Sequence, residues 1–130
     1  MEIQRNTPDG LYKLKGAHQV VRVGNTVYLS GLVACRADGS VAGSDAATQV
    51  RQTYENMKVA LASVGADLSS VVKTITYLTH ASQYKDVQSH QVELFGQNGP
   101  ANSTVIVSGL AWPELLIEIE AIAYLPEDAK

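Results

Sequence analysis

Two glutamates near the end of the chain have the types and spacing for acid–base chemistry. Glu118 and Glu120 lie two residues apart in a strongly strand-like segment, and side chains two apart on a strand project from the same face. Two carboxyl groups on one face could hold a water molecule or act as acid and base. The residues alone favour a simpler interpretation, a solvated strand face with cross-strand ion pairs.

The other reactive side chains are dispersed along the chain. His18, His80 and His90 have no second ligand at metal-binding spacing, which argues against a metal site. Cys35 is the single cysteine, so we expect a small buried apolar residue and no disulfide. The sequence contains neither a serine-hydrolase elbow nor a glycine-rich phosphate loop. These residues by themselves therefore do not identify a reaction.

Length, composition and charge limit the number of domains and the kinds of partner that we expect for this protein. The chain has 130 residues, which fits a single domain over 1–130, with 45% hydrophobic and 18% charged residues. Its net charge is -3, and phosphate binding needs a basic surface, so we expect no nucleic-acid partner. No segment has the character of a signal peptide or a membrane span. We therefore expect a cytoplasmic protein without a membrane partner.

Turn residues and apolar spacing divide the chain into elements that could position these side chains. Gly24-Asn25 is typical of a tight hairpin turn, and Asp45 is a candidate helix N-cap. Apolar residues recur every three or four positions in two segments, which predicts helices. The predicted elements are a hairpin over 19–33, helices over 45–64 and 82–95, and strands over 71–79, 103–108 and 116–125.

Helices that alternate with strands, each with one apolar face, predict an α/β (α+β) fold. The economical arrangement is a mixed sheet with both helices on one side. The other face of the sheet then needs cover, because the apolar strand residues cannot all face the helices. A small sheet with an uncovered apolar face commonly forms an oligomer. The apolar residues that raise this problem are Leu29, Val105, Val107, Ile117 and Ile119.

Five segments, in chain order, resemble the motifs of one family, the reactive-intermediate deaminases (Rid or YjgF, also called UK114 or L-PSP endoribonucleases). The resemblance covers nearly the whole chain from about residue 18 onward. The segments are VYLSGL at 27–32, QVRQTYENMK at 49–58, VVKTITYL at 71–78, GPANSTV at 99–105 and IEIEAIA at 117–123.

The resemblance implies a chorismate-mutase-like fold and a homotrimer with its sites in clefts between subunits. A trimer would cover the exposed sheet face. The best-known members hydrolyse reactive enamines and imines, such as 2-aminoacrylate, to ketoacids and ammonia without a cofactor. Some members are named endoribonucleases, but the acidic balance of this chain argues against that activity here.

The resemblance also implies roles for particular residues. Glu120, the second glutamate of the E-I-E segment, would position or activate the attacking water. Backbone groups beside Gly31, with Ser30, would help to hold the substrate. Asn102 stands where the family has an arginine that pairs with a substrate carboxylate, and an amide offers a hydrogen bond but no charge. The other expected substrate-binding residues are Thr104, His18 and Gln88.

These features predict a cofactor-independent hydrolytic deaminase of an enamine, an imine or a related small C–N compound. Asn102 would change its substrate specificity, and an aminomuconate-type compound is one candidate. The alternative is a non-catalytic trimer that binds a small metabolite or a protein. A chorismate-mutase-like isomerase ranks last, because its dianionic substrate suits a site without that arginine poorly.

Overall fold

The computed structural model describes residues 2–126, which form two α-helices and six β-strands. Short 3-10 turns lie at Leu68–Ser70 and Ala81–Gln83. No helix within this part of the chain has both the length and the apolar character needed to cross a membrane. The elements are β1 Ile3–Asn6, β2 Val20–Val23, β3 Thr26–Val33, α1 Ala46–Ala62, β4 Val71–Leu78, α2 Tyr84–Phe95, β5 Ala101–Ile106 and β6 Ile117–Tyr124.

The strands form one mixed sheet in the order β1-β2-β3-β6-β4-β5. The pair β4–β5 is parallel, and α2 lies in the connection between them, as a parallel pair requires. All other neighbours are antiparallel. The predicted mixed sheet is confirmed, and β6, which follows β5 in the chain, lies between β3 and β4 at its centre.

Both helices pack on one face of this sheet, as predicted. Ile117 and Ile119 of β6 are fully buried, as are Tyr54 and Met57 of α1. The alternate residues on one face of the strand therefore pack against the apolar face of the helix. Asp45 caps α1, because its carboxylate accepts a hydrogen bond from the Thr48 backbone N–H at 3.0 Å.

The other face of the sheet carries no helix within residues 2–126. Tyr28, Val105 and Tyr124 on this face are 47%, 41% and 55% exposed. Leu29, by contrast, is buried on the helical side. The structure therefore leaves apolar and aromatic side chains of the sheet uncovered, and the homotrimer that would cover them stays a prediction.

Two strands differ from the sequence expectation. The first, β1, was not predicted, because Ile3 is the only apolar residue of the Ile-Gln-Arg-Asn segment and three of its residues are exposed. This edge strand pairs with β2, with Ile3 opposite Val23. The other, β5, begins at Ala101 and ends at Ile106 instead of spanning 103–108, because its pairing with β4 starts with Ala101 opposite Lys73.

Candidate functional site

A β-bulge interrupts the pairing of β3 with β6 at the Ser30-Gly31 pair. Leu29 is opposite Ala121, but the next registered pair is Leu32 with Ile119. Ser30 and Gly31 therefore share the single position opposite Glu120. Bulges of this kind re-aim side chains and often lie beside functional sites. Here the extra residue brings the β3 backbone close to a carboxyl group of β6.

That carboxyl group belongs to Glu118, which lies directly against Gly31. A methyl group added at Gly31 would come 2.2 Å from Glu118 Oε2 and 2.6 Å from its Cδ, so only glycine leaves room for this side chain. Burial, together with the negative charge of Glu120, raises the pKa of the Glu118 carboxyl. A half-buried carboxyl with a raised pKa is suited to accept a proton and return it.

Glu120 lies on the same sheet face but has a different environment. The hydroxyl group of Tyr77, on β4, donates a hydrogen bond to Glu120 Oε1. This hydrogen bond is the main cause that raises the pKa of Tyr77. The two glutamates therefore share a face, as the spacing predicts, yet Glu120 serves as an acceptor for Tyr77 while Glu118 lies at the bulge.

A cavity of about 130 Å³ opens beside Glu118 and Gly31. The loop between β5 and β6 contributes Trp112, whose ring meets that of Tyr12 edge to face at a centroid distance of 5.4 Å. The segment that precedes β2 supplies the other wall. The remaining lining is largely aliphatic and includes Leu11, Leu14, Leu32, Val33 and Leu115. We call this space the Glu118 cavity.

The predicted residue Asn102 lies elsewhere, on the edge strand β5. Its Oδ1 accepts hydrogen bonds from the hydroxyl groups of Thr74 at 2.9 Å and Thr76 at 3.1 Å. Its Nδ2 donates to Thr104 Oγ1 at 2.8 Å. Thr74 and Thr76 are buried, so this amide ties β5 to the neighbouring strand β4 under α2.

Asn102 and Gln88 line one groove of about 140 Å³ between α2 and the β4–β5 edge. Thr74 and Gln91 also line it, and Gln91 Nε2 donates to the hydroxyl group of Tyr54 at 3.0 Å. Amide and hydroxyl groups dominate the polar part of this groove. We call it the Asn102 groove.

The predicted site residues therefore fall into two groups within one chain. Ser30 and Gly31 lie on β3, where the Ser30 hydroxyl donates to the His18 carbonyl oxygen at 2.6 Å. That bond uses the backbone carbonyl group of His18 and not its imidazole. His18 itself is an exposed residue. β6 and β4 separate β3 from the Asn102 strand β5, a distance of three strand spacings, about 14 Å. One copy of the chain does not bring the two groups together.

No three His, Cys, Asp or Glu side chains among residues 2–126 come close enough to hold a metal ion. Cys35 is buried, as predicted, and burial raises the pKa of its thiol, with a further contribution from Asp38.

The sequence pattern places Glu118 and Glu120 on one face, but it does not predict that Glu118 lies at the bulge, and it indicates no role for Tyr12, Gln19 or Trp112. A signal for Glu118 was present: a glycine inside a strand, here Gly31, marks a bulge or the close approach of another group. The identity of that group depends on the register across the bulge, which the residue pattern does not contain. The catalytic role of Glu120 stays a prediction.

Comparisons with known proteins agree with this architecture. The family model described as Endoribonuclease L-PSP matches residues 12–125. A RutC family protein of Pyrococcus abyssi is 35% identical over 107 residues, which cover 82% of this chain and 84% of that protein. A 2-iminobutanoate/2-iminopropanoate deaminase of Dermatophagoides farinae is 34% identical over 109 residues, with 82% and 84% covered.

A solved structure shows the same fold. The crystal structure of a member of the YjgF/YER057c/UK114 family from Mycobacterium tuberculosis superposes with a TM-score of 0.78 at 32% identity, covering 89% of this chain and 98% of that one. Sequence motifs, family model and sheet topology thus lead to one assignment. The chain belongs to the reactive-intermediate deaminase family, also known as the YjgF or L-PSP family.

Proposed function

We propose that this protein is a cofactor-independent hydrolytic deaminase of a small reactive imine or enamine. The observation that carries the proposal is the Glu118 carboxyl, half-buried at the Ser30-Gly31 bulge, with a raised pKa and an adjoining cavity. Two relatives named as deaminases, from Dermatophagoides farinae and Arabidopsis thaliana, support the reaction class.

In the proposed reaction, water adds to the carbon of the C=N bond. The Glu118 carboxylate accepts a proton from that water and delivers it to the nitrogen. The C–N bond then breaks as the new hydroxyl group loses its proton, again by way of Glu118, to the departing nitrogen. One imine and one water thus give one carbonyl compound and one ammonia, and Glu118 returns to its starting state.

A homotrimer would complete this site. Within one chain the strand β4 separates Asn102 on β5 from Glu118 on β6, and the sheet face that carries Glu118 also exposes Tyr28 and Tyr124. A neighbouring subunit on this face would cover the exposed aromatics and could bring its own Asn102 groove to the cavity. The proposed substrate therefore binds between subunits.

The proposed substrate specificity differs from that of members with an arginine at position 102. Asn102 supplies no charge, and its amide already has three threonine partners. A substrate carboxylate would lose a charge-assisted contact of about 1.5–3 kcal/mol. We therefore expect 2-aminoacrylate to be a poor substrate compared with an uncharged imine.

The test is ammonia release from a panel of imines and enamines generated in situ, with and without the protein. The Glu118→Gln and Glu120→Gln variants are matched, since each replaces one carboxyl by an amide of the same shape. We expect Glu118→Gln to lower kcat by about 10²–10⁴-fold and Glu120→Gln by less than about tenfold. The reverse order would return the catalytic role to Glu120, and no acceleration by the parent protein on any substrate would refute the deaminase.

Trimerisation has its own test, sedimentation at micromolar concentration. The chain mass is 13.9 kDa, so a species of three times that mass is expected. A monomer would remove the proposed site between subunits, while leaving the Glu118 cavity as a feature of a single chain.

One observation favours a second candidate function, a metabolite-binding trimer without catalysis. The Asn102 amide is engaged within its own chain, as expected of a residue that stabilises a sheet edge and takes no part in turnover. A bound imine analogue or metabolite that is recovered unchanged after long incubation would support this candidate. Rapid conversion would eliminate it.

A further inference from the structure

We infer that the Glu118 cavity receives a neutral group consisting of an N–H donor beside an apolar substituent about the size of a phenyl ring. This inference rests on the proposed function, since it names the substrate class of that site. It follows from the size of the cavity, the charge of its lining and one buried acceptor without a partner.

The size and walls of the cavity suit a ring. Its volume is about 130 Å³, and an apolar cavity of roughly 150 Å³ can hold a benzene molecule. Trp112 and Tyr12, which meet edge to face, form an aromatic wall on one side, and four leucines form much of the remaining apolar lining, beside which Asn56 is a further polar residue. Aromatic and branched aliphatic substituents bury the most apolar surface in such a space.

The charge of the lining disfavours an anion. Glu118 is its only charged residue, and no Lys, Arg or His of residues 2–126 lines the cavity. A carboxylate placed here would meet a carboxyl group and apolar walls without a compensating cation. Asn102 is neutral where the family motif has an arginine, so this position also offers no positive charge to a substrate carboxylate.

Gln19 is a polar residue in the lining of the cavity. This residue is only 6% exposed. Its Nε2 donates to the Tyr12 carbonyl oxygen at 2.9 Å, which sets the orientation of the amide because that oxygen can only accept. Gln19 Oε1 is the buried side-chain atom left without a hydrogen-bond partner in the described part of the chain.

Hydrogen bonds hold the backbone of Gln19 as well as its Nε2 atom. Its N–H donates to Thr7 Oγ1 at 3.1 Å, and its carbonyl oxygen accepts from the Ser30 N–H at 3.0 Å. A buried acceptor without a donor is unfavourable. A ligand N–H would satisfy Gln19 Oε1, as an imine or amide nitrogen does, whereas a ketone or a carboxylate cannot.

The experiment uses the single tryptophan of the chain, Trp112, as a reporter in the cavity wall. Four unreactive probes are titrated into the protein while Trp112 fluorescence is recorded, and the affinities are checked by calorimetry. Benzamide has both the ring and the N–H, acetamide lacks the ring, acetophenone lacks the N–H and benzoate carries a charge. We expect benzamide to bind about tenfold or more tightly than each of the others.

Two variants locate the binding. Leu14 lines the cavity and is 36% exposed, whereas Val59 on α1 is 38% exposed and lies outside the lining. Both can be shortened with little effect on folding. We expect Leu14→Ala to weaken benzamide about fivefold and Val59→Ala to leave its affinity unchanged.

The outcomes separate this inference from the proposed function. Benzamide selectivity that depends on Leu14 supports the inference even if no imine is hydrolysed, in which case the deaminase proposal fails alone. Benzamide that binds no better than acetamide, or not at all, overturns the inference even if small imines are hydrolysed rapidly. Equal binding of acetophenone and benzamide overturns the role of Gln19, and preference for benzoate overturns the neutral class.

Discussion

The Asn102 groove and the Glu118 cavity differ in how far their polar side chains find hydrogen-bond partners within the chain. In the groove, three threonine hydroxyl groups form hydrogen bonds with the amide of Asn102, which is an exposed residue. In the cavity, burial and the charge of Glu120 disfavour the ionised form of Glu118, and Gln19 Oε1 has no partner within residues 2–126. Polar groups that are satisfied inside the chain stabilise its fold, whereas poorly satisfied ones are available to a substrate. The proposed function follows this contrast and places the chemistry at Glu118, while the roles expected of Asn102 and Glu120 stay predictions.

The largest effect on activity is expected from Gly31→Ala. The new methyl group would overlap the end of the Glu118 side chain, which can swing away while the backbone stays in place. We expect kcat/KM on the best imine substrate to fall about 100-fold, because displacement of a catalytic group by 1 Å has an effect of that order. Thermal unfolding should change little.

Gly109→Ala is the matched control, because a methyl group there meets no atom within 4 Å. It should retain full activity. Full activity in Gly31→Ala would show that the position of the Glu118 carboxyl is irrelevant to turnover.

The second prediction concerns stability at the groove. Asn102→Ala removes the acceptor of the buried Thr74 and Thr76 hydroxyl groups, and we expect the free energy of unfolding to fall by about 1–3 kcal/mol. Denaturant unfolding measures this change. Ser103→Ala, on the next residue and the opposite face, should have an effect of less than about 0.5 kcal/mol. Equal effects would mean that the threonine contacts contribute nothing to stability.

The third prediction uses pH to test the cavity. The folded protein raises the pKa of Glu118, so it binds this proton more tightly than the unfolded chain does. The Glu118 contribution to stability therefore falls as pH rises from the ordinary glutamate pKa through the raised value. Glu118→Gln removes this dependence, so the variant should gain stability relative to the parent at neutral pH, and the gain should disappear in acid.

Unfolding curves at several pH values check this expectation. Glu120→Gln is a useful comparison, because removal of its charge lowers the pKa of Glu118 and should flatten the same pH dependence only in part. A constant difference between parent and Glu118→Gln across the whole pH range would contradict the assigned environment of Glu118.

The smallest effect is expected from Tyr77→Phe. This change removes the hydroxyl group that donates to Glu120 but leaves Glu118 and the cavity lining intact. We expect kcat/KM to stay within about threefold of the parent value. A loss as large as that of Glu118→Gln would identify the Tyr77–Glu120 pair as the working acid–base unit.

Local patterns predicted most of the fold. The helical stripe of Tyr54, Met57 and their neighbours, and the alternation of Ile117 and Ile119, depend on periods that a sequence displays directly. The strand β1 lacks such a pattern and exists through backbone pairing with β2. Its formation depends on a partner distant in sequence, which local spacing does not identify.

The site was less accessible to prediction, because it depends on register. The spacing of Glu118 and Glu120 correctly placed both carboxyl groups on one face. Which of them lies against Gly31 depends on the two-for-one pairing at Ser30-Gly31, because the side chains of a strand change faces when its register shifts by one residue. Likewise, Trp112 enters the cavity wall through the path of a loop, for which residue type offers no rule.

The central position of β6 has a consequence for how the chain folds. Its neighbours β3 and β4 come much earlier in the sequence, so the sheet closes only after Ile117–Tyr124 has left the ribosome. Until then β3 and β4 each present an unpaired edge that can capture another strand. These long-range pairings raise the contact order and slow folding. Nascent or truncated chains that lack β6 would therefore be the aggregation-prone form of this protein.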